Sequence, residues 1–237
     1  MAYPLRPSLT VGASAPEGER AYDRAERFTD ALVHLTGLVL ALAAVPVLIT
    51  LAAVWRGDLA GIAAVSIYGA TLIAMLSASL AYNHVAHDDW TDRLRRLDMS
   101  AIYLKIAGTV TPFALLSGTG STFLAMMWTA AVVATASVFL RRRRSSAVSV
   151  AIGLAMGWGV LFAGGEVIAA TSWPVFALMV AGGVLYSLGT PFLLMERMRF
   201  HNTIWHGFVV VASVVYFVAI MWHLAATSMI PGPTAAL

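Results

Sequence analysis

The sequence predicts an all-α integral membrane protein: a bundle of seven transmembrane helices, N-terminus in the cytoplasm and C-terminus outside. Three observations carry that prediction. Of 237 residues, 59% are hydrophobic and only 11% charged, where a soluble domain carries about 25% charge. The apolar residues gather into runs long enough to cross roughly 30 Å of hydrocarbon. The basic residues, finally, sit almost entirely at those ends of the runs that share one side.

The chain opens on a polar stretch with Pro4, Pro7, Gly12, Pro16 and Gly18 and no apolar core of a signal peptide. Residues 1–25 are read as a disordered cytoplasmic tail, 26–228 as the membrane domain and 229–237 as a short external tail. Within the domain the apolar runs are 28–55, 59–82, 99–116, 121–140, 147–162, 173–195 and 202–227. Arg56-Gly57-Asp58 ends the first, a charged loop containing Asp88, Asp89, Asp92 and Arg93 follows the second, and Gly118-Thr119-Gly120 closes the third. Arg141, Arg142, Arg143 and Arg144 end the fourth, Gly164-Gly165-Glu166 the fifth, and Glu196-Arg197-Met198-Arg199 the sixth. Runs of this length exclude barrel strands, which are shorter and alternate polar with apolar. In lipid each run must satisfy its own backbone, so each is a helix. Pro46, Pro112 and Pro191 are expected to kink their helices, and Gly153, Gly157, Gly182 and Gly183 to allow close packing.

Seven crossings put the termini on opposite sides, and the Lys/Arg distribution assigns them. With the N-terminus inside, the cytoplasmic segments hold Arg6, Arg20, Arg24, Arg27, Arg93, Arg95, Arg96, the four arginines from 141 to 144, Arg197 and Arg199, thirteen of the fifteen basic residues. Arg56 lies outside and Lys105 lies within the third run. The net charge of +3 therefore orients helices and implies no nucleic-acid partner. The tetra-arginine is a topology anchor and, secondarily, a surface for anionic inner-leaflet lipid. Asp88, Asp89 and Asp92 read as solvated charges. The absence of cysteine removes disulfides and thiolate metal sites.

Ionisable groups inside a membrane are costly and ask for a reason. Here they gather at one depth. The first run begins with Glu26, Asp30 and His34, spaced four apart on one stripe. The second ends with Ser79, Asn83 and His84, the third begins with Asp98 and Ser100, and the seventh with His201, Asn202 and His206. Any one of these could simply face headgroups and water. As a set at one level, they can satisfy one another or share a metal, and histidine with carboxylate is ordinary zinc chemistry. Lys105 is read either as pairing with a carboxylate such as Asp30 or as snorkelling to the cytoplasmic face. A retinal-type lysine is not expected, since the seventh run has none.

These residues resemble the hemolysin III family, the bacterial branch of the progestin and adipoQ receptors, grouped with the alkaline ceramidases. The resemblance rests on Glu26-x3-Asp30-x3-His34, on Leu97-Asp98-Met99-Ser100-Ala101-Ile102-Tyr103-Leu104 with Ala107-Gly108-Thr109 and Thr111-Pro112-Phe113, and on Ile204-Trp205-His206-Gly207-Phe208-Val209. It implies a bacterial cytoplasmic membrane protein with zinc near the cytoplasmic face. In that family a Ser-x3-His motif in the second helix and a His-x3-His motif in the seventh supply three histidines, and an aspartate opening the third helix holds a zinc-bound water. Related members resemble metal-dependent lipid amide hydrolases; others are receptors or haemolysins.

The match is incomplete. Four residues beyond Ser79 stands Asn83, with His84 one later; four before His206 stands Asn202, with His201 one earlier. In an α-helix residues four apart differ by about 40° and residues five apart by about 140°. Three arrangements stay open: zinc held by His84, His201 and His206 through a loop or wide turn; a weaker site lined by Asn83, Asn202 and His206; or a metal-free polar cluster also lined by Asp30 and His34. With a metal, Asp98 would serve as general base and acid and Ser79 would orient a ligand or the oxyanion, on a lipid amide or ester drawn from the inner leaflet. A receptor-like or structural protein is the alternative. A pore is disfavoured because no polar stripe runs the full depth of the bilayer.

Overall fold

A computed structural model describes residues 22–85, 89–140 and 146–228. Among these the elements are α1 (Arg24–Trp55), α2 (Leu59–Leu80) with a π-helical turn over Ala81–Val85, α3 (Thr91–Ser117), α4 (Ser121–Leu140), α5 (Ser146–Ala163), the short α6 (Gly165–Ala169), α7 (Trp173–Leu194) and α8 (His201–Ser228). The tetra-arginine, Asp88, residues 1–21 and the C-terminal tail lie outside the described residues, while the last residues of the expected N-terminal tail, 22–25, already cap and open α1.

Six helices are long and apolar enough to cross a membrane, and α5 is a shorter apolar one. The outer faces carry exposed Val39, Val47, Val54, Val132 and Val133, a surface suited to lipid and not to water. The chain is thus a helical integral membrane protein.

α1 starts where Asp23 and Glu26 form a reciprocal capping box, Glu26 N–H donating to Asp23 at 2.7 Å and Asp23 N–H to Glu26 at 3.0 Å. α3 begins eight residues before the expected 99. Its first turns are amphipathic, and Arg96 donates to Asp92 one turn back at 2.9 Å and to the Phe139 carbonyl of α4, so charge that resembles a loop is the surface of a helix. Gly118 ends α3 in the left-handed conformation, φ 66°, which a side chain would disfavour.

α3 is the most deeply buried helix, enclosed by α2, α4, α5 and α8. Close approaches fix the neighbours. A Cβ on Gly69 of α2 would overlap Val45 of α1, and one on Gly182 of α7 would fall 2.5 Å from Tyr216 of α8. Gly157 differs from expectation, since a Cβ there meets nothing within 4 Å. Helix directions follow from paired contacts at two levels. Thr29 meets Thr203 and Gly37 meets Val210, so α1 and α8 are parallel. Tyr103 meets Ser149 and Ile106 meets Gly153, so α3 and α5 are parallel too.

Candidate metal centre

The start of α1, the end of α2 and the starts of α3 and α8 meet at one end of the bundle, and Asp30 is the hub of the meeting. Its Oδ1 lies 2.7 Å from His206 Nδ1, and its Oδ2 lies 3.0 Å from His84 Nε2 and 3.5 Å from His34 Nδ1. All of these side chains are buried or nearly so. His34 Nδ1 also lies 2.9 Å from the Asp30 carbonyl and its Nε2 3.0 Å from Ser79 Oγ. A carbonyl only accepts, so His34 carries its proton on Nδ1 and presents the Nε2 lone pair. The His34 and His206 rings lie with centroids 4.0 Å apart. Ser79 Oγ is 3.5 Å from His206 Nε2, and Asp98 lies beside Ser79 with His206 and Asp30 within electrostatic reach.

His84 reaches this group through backbone geometry that a regular helix does not offer. Over Ala81–Val85 the hydrogen bonding widens to i→i+5, which brings residues five apart onto a common face. One extra residue is absorbed, and His84 turns towards Asp30 although it stands five after Ser79. Asn83 stays inward as well, donating to the Ser79 carbonyl at 3.0 Å, and Asn202 donates to Asn83 Oδ1 at 3.4 Å. The two amides thus pair across α2 and α8. They border a small cleft that Asp30, His84 and Thr203 also line.

One ligand atom from each of Asp30, His34 and His84 lies within 4.8 Å of the others, so these three could hold a metal ion. Two imidazoles and a carboxylate with a hydroxyl alongside suit zinc or a neighbouring divalent transition metal. Among the residues expected from sequence, the structure brings together Asp30, His34, Ser79, Asn83, His84, Asp98, Asn202 and His206. It leaves His201 aside. That ring stacks on Tyr22, with Nε2 on the Tyr22 hydroxyl and Nδ1 3.1 Å from the Phe192 carbonyl of α7. No wide turn occurs at the start of α8, so His201 and His206 stay on different faces.

Lys105 departs from both expectations. Its Nζ, 3% exposed as a residue, donates to Tyr186 of α7 at 2.5 Å and pairs with no carboxylate among the described residues. Sequence reasoning missed this contact, since nothing in an apolar run marks Tyr186 as a partner.

The Haemolysin-III related family profile matches residues 24–217. The chain belongs to the haemolysin III family. It is 33% identical over 201 residues to the Hemolysin-3 homolog of Bacillus subtilis (strain 168), covering 84% of this chain and 94% of that one. Hemolysin-3 of Bacillus cereus is 32% identical over 206 residues, 86% of this chain and 94% of that one. The profile spans every polar residue of the cluster from Glu26 to His206, and its match begins at the first residue of α1.

Proposed function

We propose that this haemolysin III protein is a zinc-dependent hydrolase of lipid amides, with its site at the cytoplasmic face of the bacterial inner membrane. The observation that carries the reading is the meeting of Asp30, His34 and His84 donors within 4.8 Å, beside Ser79 and Asp98 and next to a cleft. Asp30, His34 and His84 would hold the metal, and His206, donating from Nδ1, fixes the Asp30 carboxylate. A bound zinc would supply an acidified water at neutral pH and polarise a carbonyl. Asp98 then accepts the proton that the attacking water releases and returns it to the leaving nitrogen. Ser79 Oγ–H donates towards the developing oxyanion, and Asn83 and Asn202 orient the polar head of the substrate at the cleft.

Seven crossings are part of this proposal, and helix direction supports them. α1, α3, α5 and α8 run one way while α2, α4 and α7 run the other. Six crossings that skipped α5 would make α8 antiparallel to α1. α5 has 18 residues, or about 27 Å of helix, close to the hydrocarbon thickness. The basic residues beside the cluster, Arg27, Arg93, Arg95, Arg197 and Arg199, support a cytoplasmic placement of this end.

The test is release of fatty acid from N-acyl lipids by purified protein, with and without chelator, beside Asp98→Asn. Chelator-sensitive release that Asp98→Asn lowers by about 100-fold or more is expected. A second reading has its own support: Asp30 accepts from both His84 and His206, so the cluster can close on itself as a metal-free, receptor-like lock between helices. Protein that carries no metal and releases no product would leave that reading standing.

A further inference from the structure

The cleft beside the metal centre has Arg27 in its wall together with Asp30 and His84. Arg27 stands three residues before Asp30 on α1, so the two share a face and Arg27 sits nearer the start of the helix. On the proposed topology that is the side nearer the cytosol.

The other charged groups of this wall are already engaged. Glu26 accepts from the Asp23 N–H at 3.0 Å and, through its other oxygen, from the Phe200 N–H at 2.8 Å. Asp30 is held by His84 and His206, so neither acid is left bare to repel an anion. Arg27 differs. Its guanidinium donates to the Tyr22 carbonyl at 3.3 Å and makes no ion pair among the described residues, which leaves most of its N–H donors open.

A guanidinium with open donors grips a carboxylate through two parallel N–H···O bonds, a match that a neutral hydroxyl cannot offer. Its place relative to the cluster fixes where that carboxylate belongs. Three residues of helix advance about 4.5 Å, so an anion close to the scissile amide, on the carbon attached to its nitrogen, fits this span.

We propose that the cleft takes N-acyl amino acids, with the amide at the metal centre and the α-carboxylate paired to Arg27. The position of the amide rests on the hydrolase reading. Addition of water across the C–N bond gives a fatty acid and a free amino acid. Arg27 sets the preference for an acidic head over a neutral one.

Detergent-purified full-length protein tests this with N-oleoylglycine against N-oleoylethanolamine, which share the acyl amide and differ in the head. Binding is read from the rise in unfolding midpoint, and turnover from release of oleate. N-oleoylglycine should reach half-maximal binding at about one-tenth the concentration or less. Arg27→Gln should remove that preference and raise KM for N-oleoylglycine about tenfold, with kcat and the ethanolamide little changed. Arg24→Gln, at an exposed arginine outside the cleft wall, should keep it. Equal binding of the two lipids, a preference that survives Arg27→Gln, or an equal loss in Arg24→Gln would each overturn the inference, even with the ethanolamide cleaved. Arg27-dependent preference without any oleate release would instead end the hydrolase reading and keep the carboxylate site.

Discussion

The two ends of the bundle both bury polar side chains, and they use them differently. At the far end each group is tied to its own one or two partners. Arg56 donates to Asp58 and to the Leu116 carbonyl that ends α3, Glu166 accepts from Gly120 N–H, and Ser117 pairs with His223 at 2.9 Å. These are ties between helix ends. At the Asp30 end one carboxylate serves three imidazoles, and ring nitrogens are left that can coordinate. Pairing one to one stabilises a fold, whereas convergence beyond what pairing requires creates a site. Equal responses to substitution at the two ends would erase that difference.

The largest difference should come from Asp30. Asp30→Ala removes the acceptor for His84 and His206 together and one of the three metal donors. Metal affinity should fall by more than about 100-fold, and the buried rings left without partners should cost about 1–3 kcal/mol each. Metal analysis of purified protein and its thermal unfolding measure the two effects. A variant that keeps stoichiometric metal and its unfolding midpoint would remove the hub.

Next in size is a test of the wide turn. Deleting Ala81 would convert the π turn to regular helix with a histidine four residues after Ser79, still on the site face. Metal content should stay within about tenfold of the parent. Deleting the exposed Ala74 instead turns the whole end of α2 by about 100° and should abolish metal binding. Equal loss in both variants would mean that the turn does not carry His84's placement.

How much of this was legible beforehand follows from the same contrast. The long apolar helices could be read because hydrocarbon demands length and apolarity of whatever crosses it. The set of converging residues could be read because Asp30, His34, Asp98 and His206 keep α-helical register. His84 could not be placed by that arithmetic, since a π turn is a property of the backbone that leaves no mark in the hydrophobic pattern. His201 is an equal candidate by sequence spacing, but α8 opens as regular helix and Tyr22 and the Phe192 carbonyl take its ring. Lys105 was misassigned because cation–π and phenol partners come from helices distant in sequence. The onset of α3 at Thr91 was missed for a simpler reason, that Asp92 and Arg96 look like loop charge until their spacing is seen as one turn.

At the far end effects should be ordinary. Ser117→Ala removes a single neutral hydrogen bond to His223, at a cost of about 1 kcal/mol, with metal content untouched. Loss of metal there would show that the two ends are coupled and that the distinction between tie and site is too sharp.

The smallest effect tests the Arg56–Asp58 tie through pH. The Arg56 guanidinium and the Gly61 N–H hold the Asp58 carboxyl below the ordinary carboxylate value. A folded value below the unfolded one means that the contribution is present above the usual carboxylate range and is lost as pH falls through the depressed value. Asp58→Asn should therefore lower the unfolding midpoint slightly at neutral pH, by no more than the ~1 kcal/mol typical of a solvent-exposed pair. The gap between variant and parent should close on acidification. A gap that persists unchanged in acid would place the loss in the amide's own packing instead of in the charge, and the α1–α2 turn would then be held by shape and not by its ion pair.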